Sequence, residues 1–207
     1  MIKAIIFDMN GVLISNFDPQ IYENHAQKLN LTTQDFKEII KEFFNWSITN
    51  KAGTLDDFWN TKKNNWGGIA LEDLKEFTAD LHASEKINEE IIEIARSLKK
   101  NYKIGVLSNI GGVNLEKLFE EKYDIKNFFD YVLSTGHIGI AKPDPAVYKH
   151  MLSKMNMEPE EVVFIDDKEN NVQSAAQMGI HGIHFISPDM PSSILIEKLK
   201  DIEIELN

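Results

Sequence analysis

Four short apolar runs constrain this chain more than any other feature: Lys3–Phe7, Ile104–Leu107, Tyr131–Leu133 and Val162–Ile165, each ending in small or polar residues. A run that stays apolar along its length, without alternation, is covered on both faces, as strands of a parallel sheet are. Gly182–Ile186 is a weaker fifth run. Helical patterns lie between them at Asn88–Lys99, Val113–Glu121, Pro145–Met155 and Asn171–Met178, and a last one follows Pro191. Strand and helix therefore alternate from about Ile87 onward, which implies an α/β fold with a doubly wound, Rossmann-like parallel sheet.

The stretch after the first strand breaks this alternation. From Pro19 to His82 every segment reads as helix, with N-caps expected at Asp18, Thr32 and Thr54. Thr54 has Asp57 three residues on, the spacing of a capping box. Apolar residues recur at helical spacing in Phe36, Ile39, Ile40 and Phe43, and in Leu71, Leu74, Phe77 and Leu81. This is too much chain for a loop. We expect residues 16–83 to form an inserted helical cap domain, and residues 1–15 with 84–207 to form the α/β core.

The 207 residues are 43% hydrophobic, enough for a real core. With 22 basic and 33 acidic residues the net charge is −11, which repels nucleic acid and anionic membrane surfaces alike. An anionic ligand would have to be met locally, by a metal, a lysine or main-chain N–H groups. The absence of cysteine excludes disulfides, thiolate metal sites and a cysteine nucleophile. The run before Asp8 is too short for a secretory core, and no stretch approaches the roughly 20 apolar residues of a membrane span. A cytoplasmic protein is the expectation.

In a doubly wound sheet the ligand crevice lies beyond the carboxyl ends of the strands. The first strand ends in Asp8-Met9-Asn10-Gly11-Val12, the second in Ser108-Asn109 and the fourth in Asp166-Asp167, with Lys142-Pro143 in the loop before the fourth. Together they supply carboxylates, a hydroxyl and a cation. A carboxylate attacks phosphorus only when the charge of both partners is neutralised, which magnesium held by oxygen ligands can do. A hydroxyl and an ammonium can then hold the phosphoryl oxygens.

These motifs, in this order and extended by Lys142-Pro143-Asp144-Pro145 and by Asp167-Lys168-Glu169-Asn170-Asn171 with Ala175, Ala176 and Gly179, resemble those of the haloacid dehalogenase-like hydrolases. The likeness is to the sugar-phosphatase branch with a small helical cap. It implies Asp8 as nucleophile and Mg²⁺ ligand, forming an aspartyl phosphate. Asp167 becomes the second carboxylate ligand, and Asp166 binds the metal directly or through water. Ser108 and Lys142 hold the phosphoryl group, with Met9 and Asn109 beside them. Trp46, Asn50 and Lys51, between cap helices, fall where that family places its substrate-selecting loop. The implied substrate is a small phosphate ester, such as a sugar phosphate.

Asn10 departs from the pattern. The phosphatases have an aspartate there, which protonates the leaving oxygen and later activates water. An amide has no proton to titrate. The metal contact expected from this position is the main-chain carbonyl, which asparagine keeps, so binding should survive while turnover suffers.

Each site alone has a plainer reading. Asn10-Gly11 is also a hairpin signal; Ser108-Asn109 and Asp166-Asp167 could cap helices; Lys142 could be a solvated loop residue. Trp59 and Trp66 suit the cap's own core, and Trp46–Gly53 could be a solvated turn. His181 and His184, three apart on a strand, would point to opposite faces and could not share a zinc ion. Two other functions compete: a 2-haloacid dehalogenase, which would need an arginine where the chain has only Arg96, and a non-catalytic module that holds a phosphorylated ligand. A receiver domain places its acidic residues in the reverse order.

Overall fold

A computed structural model describes residues 1–14, 18–50, 53–63, 69–111, 114–187 and 189–206. The elements run β1 (Ala4–Phe7), α1 (Pro19–Lys28), α2 (Thr33–Thr49), α3 (Leu55–Lys62), α4 (Leu71–Ser84), α5 (Glu89–Leu98), β2 (Lys103–Ser108), α6 (Leu115–Tyr123), β3 (Tyr131–Ser134), α7 (Thr135–Ile138), α8 (Pro145–Met155), β4 (Val162–Asp166), α9 (Glu169–Gln177), β5 (His181–His184) and α10 (Ser192–Lys200). The five strands form one sheet in the order β3-β2-β1-β4-β5. Every pairing is parallel. Strand order reverses at β1, so the carboxyl ends of β1, β2 and β4 flank the crevice that such a sheet offers a ligand.

The apolar runs are apolar throughout because both faces are covered. Ile5, Phe7, Val106 and Val163 pack with Ile91 and Leu98 of α5, Phe119 of α6 and Leu195 of α10. Ala4, Ile6, Leu107 and Phe164 pack with Val147, Tyr148 and Met151 of α8 and Ala175 of α9. The helices α1–α4 gather a separate cluster around Phe36, Ile40, Phe58, Leu74 and Phe77, with Trp59 against its edge. Trp66 lies outside the described residues.

Local signals set the helix starts. Asp18, Thr32 and Thr54 each accept a main-chain N–H at the head of α1, α2 and α3, and Thr54 with Asp57 closes a capping box. α8 occupies the expected residues, with Pro145 in its first turn and Asp144 capping Ala146 N–H at 2.9 Å. α6 starts at Leu115, capped by Asn114; Val113 lies outside the described residues. It is therefore Asn114, and not Ser108 or Asn109, that caps this helix.

The hairpin reading of Asn10-Gly11 is corrected. A two-residue primed type I turn needs positive φ at both central residues, and of these two only Gly11 has it, at +86°. The chain instead turns over Gly11–Leu13, closed by Gly11 N–H to Ile14 O and Ile14 N–H to Met9 O, both 2.8 Å. Among the described residues no helix is long and apolar enough to cross a membrane.

Candidate active site

At the carboxyl ends of β1 and β4 the structure gathers Asp8, Asp166 and Asp167, with one carboxylate oxygen of each within 4.8 Å of the others. Lys142 is buried among them, with 1% of its side chain exposed. It is no solvated loop lysine. Its ammonium donates to Asp166 Oδ2 at 2.7 Å and to Leu107 O at 2.9 Å, and lies 2.8 Å from Asp8 Oδ1. Phe164 closes the pocket beneath, its ring centre 5.3 Å from the nitrogen.

The loop carrying Lys142 is fixed by Asn109. The Asn109 amide donates to Lys142 O at 2.8 Å, and its Oδ1 accepts Lys142 N–H at 2.9 Å. One N–H of the Asn109 amide remains for a phosphoryl contact, beside its main chain. Ser108, the last residue of β2, is buried beside it.

Asp166 is wholly enclosed, with both oxygens engaged. Its Oδ1 accepts Lys168 N–H at 2.8 Å and the Asn171 amide at 2.9 Å, while Oδ2 holds Lys142. The turn-forming and functional readings of this residue thus coexist, since the same carboxylate ties the entry to α9 and orients the lysine. Tyr148 donates to Asn171 O at 2.9 Å from the layer below. Asn171 and the side chain of Asn109 are supports that the strand-end reading did not single out. Their only signal was position: Asn109 directly after Ser108, and Asn171 five residues after Asp166, on the first turn of α9.

Asp167 differs. Its Oδ1 is buried without a partner, as is Asn10 Oδ1. The Asp167 main-chain carbonyl is held by His184 Nε2 at 2.9 Å, so His184 buttresses this loop. Gly11 packs against the Asp167 carboxylate so closely that a Cβ there would lie 2.6 Å from Oδ2.

The electrostatics follow from crowding. Burial pushes the Asp8 carboxyl up to about 7; Lys142 pulls against this and Asp166 adds to it. Burial also raises Asp167, partly opposed by Lys168. Lys142 is held above its ordinary value: burial disfavours its charge, but Asp8 and Asp166 outweigh that. Three carboxyl groups share one buried ammonium, so the cluster is short of positive charge. With an unpartnered Asp167 oxygen facing the same space, this hard-oxygen donor set fits a divalent cation such as Mg²⁺.

The other expected residues sit as follows. Met9 is buried, and its N–H donates to Asp8 Oδ1 at 2.7 Å. Trp46 packs its ring on Phe58 at 5.4 Å and against Gly53, inside the helical layer. Asn50 closes the end of α2, its amide donating to Trp46 O at 2.8 Å. Lys51 lies outside the described residues. Arg96 pairs with Glu93 on its own helix and rests over Phe128, among contacts that include no strand-end residue.

The family model for haloacid dehalogenase-like hydrolases matches residues 2–179, and the chain belongs to that family. Drimenol cyclase DrtB of Aspergillus calidoustus is 27% identical over 91% of this chain, but the match spans only 35% of that protein. The chain thus covers about a third or less of the first curated relatives, which include bifunctional epoxide hydrolase 2 of rat, matched over 20% of its length. Two relatives match over most of both chains. The sesquiterpene phosphatase AstK of Aspergillus oryzae is 27% identical over 88% of this chain and 89% of its own. The phosphorylated carbohydrates phosphatase of Thermotoga maritima is 26% identical over 88% and 84%. Among solved structures, a HAD family enzyme of Bacteroides thetaiotaomicron complexed with magnesium and inorganic phosphate shares the fold, with a TM-score of 0.71 over 94% of this chain and 99% of that one, at 20% identity.

Proposed function

We propose that this chain is a magnesium-dependent phosphomonoesterase scaffold for a small phosphorylated metabolite, with Asp8 as nucleophile and turnover limited by Asn10. The observation that carries this reading is the buried Asp8–Lys142–Asp166 cluster beside an unpaired Asp167 oxygen. Asp8 and Asp167 would hold the ion with the Asn10 carbonyl, and Asp166, its oxygens already engaged, would contribute through water. Bound there, magnesium supplies positive charge to the phosphoryl oxygens and to the nucleophile. Residues 16–83 serve as the cap over this end of the core.

The chain's own groups account for the rest. Lys142 and Met9 N–H hold Asp8 Oδ1, and Oδ2 attacks phosphorus. The new O–P bond forms as the ester P–O bond breaks, with Ser108 and Lys142 stabilising the equatorial oxygens. The departing alkoxide needs a proton, and Asn10 has none to give. Water must then attack the aspartyl phosphate, releasing inorganic phosphate, again without a base at that position.

Named relatives include phosphatases of carbohydrates and of a sesquiterpene, which supports the phosphate-ester class without choosing its organic part. Asn10 also favours a second reading, a module that binds phosphate esters without turning them over. One experiment separates the two. Asn10→Asp should raise phosphate release by roughly 10²–10⁴-fold, the worth of a positioned general acid/base. The gain should be larger for alkyl or sugar phosphates than for p-nitrophenyl phosphate, whose leaving group needs no proton. No gain on any ester would leave the binding module. Halide release from a 2-haloacid without metal would instead establish a dehalogenase.

A further inference from the structure

We infer that the organic part of the substrate is apolar, an alkyl or isoprenoid-like chain, housed in the seam between the helical layer and the loop after β2. This rests on the phosphomonoesterase reading above and adds the class of ester. A cavity of about 290 Å³ opens in that seam. Its walls are Phe43, Phe44, Leu55, Leu81 and Ile110. Phe44 is 36% exposed, and apart from Met1 it is the only large hydrophobic side chain left so among the described residues. An exposed aromatic lining a concave apolar wall is what a binding surface presents, and not what a structural core needs.

The cavity's floor is the chain that leaves the strand end carrying Ser108. Ile110 and Gly111 directly follow Ser108 and Asn109. The loop is pinned by Ser134 Oγ and Gly136 N–H, which donate to Ile110 O at 2.7 and 2.9 Å. Against it sits the backbone of α2: a Cβ on Gly111 would come within 2.5 Å of Ser47 O. The strand end that presents Ser108 to a phosphoryl group thus continues as one wall of the cavity.

The polar groups in the lining argue against a sugar. Three hydroxyls face this region, and each spends its hydrogen within its own helix or cap: Ser47 Oγ on Phe44 O at 2.8 Å, Thr78 Oγ1 on Lys75 O at 3.0 Å and Thr54 Oγ1 on Asp57 Oδ2 at 2.6 Å. His82 is engaged through Nδ1 with Glu85 Oε1 at 3.2 Å. A sugar's ring and hydroxyl oxygens would find few donors in this lining, His82 Nε2 at its half-exposed edge excepted, and burying them unpaired is costly. A hydrocarbon incurs no such cost.

Calorimetric titration of the unaltered protein with methyl-, butyl-, hexyl- and octylphosphonate in excess Mg²⁺ tests this without any need for turnover. Affinity should rise roughly threefold to fourfold for each methylene that enters the cavity. Phe44→Asp, at a position 36% exposed, should flatten that slope. A hexose phosphate should bind more weakly than octylphosphonate. Equal magnesium-dependent binding of all phosphonates, or tighter binding of the hexose phosphate, would overturn the apolar class and leave the phosphatase reading intact. A slope indifferent to Phe44→Asp would overturn the location. If neither the phosphonates nor inorganic phosphate bound in the presence of Mg²⁺, the functional reading itself would fall.

Discussion

The carboxyl end of the sheet and the interior of the helical layer are buried to a similar degree and built from opposite materials. At the sheet, Asp8, Asp166 and Lys142 are almost wholly enclosed and bound to one another by directional contacts. In the helical layer, Phe36 and Phe77 meet edge-on at 5.0 Å, Tyr22 meets Phe77 at the same distance, and the one buried imidazole among them, His25, reaches out to the exposed Asp80. Charges that must react need fixed positions, and the ends of central strands in a sheet covered on both faces provide them. A layer that closed over a substrate, as proposed for residues 16–83, would be better held by packing, which has no preferred direction.

The largest expected effect is on the charged side. Lys142→Met leaves two buried carboxylates facing each other without their cation, and we expect a loss of about 3–5 kcal/mol of stability in urea unfolding. Magnesium should restore part of it. A loss below about 1 kcal/mol would mean that Asp8 and Asp166 simply take up a proton, and that the lysine does not organise this end of the sheet.

The matching test on the apolar side is Phe36→Ala. It removes a ring from the centre of the helical cluster and should cost about 3 kcal/mol or somewhat more. Because that cluster is separate from the sheet's two cores, magnesium affinity at Asp8 and Asp167 should change little. Joint loss of both would show that the two regions are one cooperative unit, which is the sharpest way to break the comparison.

The same contrast explains what could be read from the sequence. The sheet, its strand ends and the cluster Asp8, Asp166, Asp167 and Lys142 were legible because each carboxylate directly follows an apolar run, and topology then brings the ends together. The caps Asp18, Thr32 and Thr54 were legible because capping is local in sequence. Contacts between distant segments carried no such signal. The Asn109 clamp on Lys142 spans 33 residues, and the seat of Gly111 on Ser47 joins two elements with no shared pattern. Trp46 was ambiguous because an aromatic near a helix end suits a ligand and a core equally well; in the structure its ring lies against Phe58.

Gly11→Ala should have an intermediate effect, on the site more than on the fold. A side chain at φ +86° is strained, and its Cβ would fall 2.6 Å from Asp167 Oδ2. We expect about 1–3 kcal/mol of destabilisation, together with weakened Mg²⁺ binding as the Asp167 carboxylate is displaced. Unchanged calorimetric affinity would mean that Asp167 is not a ligand.

The smallest effect is expected where the helical layer does use a buried charge. Glu85, just past the end of α4, accepts from Lys122 of α6, from Tyr123 Oη at 3.1 Å and from His82 Nδ1 at 3.2 Å. Burial alone would raise its carboxyl, but the hydrogen bonds from His82 and Lys122 outweigh that and hold it below its ordinary 4.5. A folded-state value below the unfolded one means that the contribution is present above pH 4.5 and is lost as pH falls through the folded value. Glu85→Gln cannot ionise, so its stability should lie below that of the unaltered protein at neutral pH, and the two curves should converge as the solution is acidified below pH 4.5. Curves that stay parallel through the acid range would mean that the contacts with Lys122 and Tyr123 act by hydrogen bonding alone. The return from the helical layer to the core would then be held, like the layer itself, without a working charge.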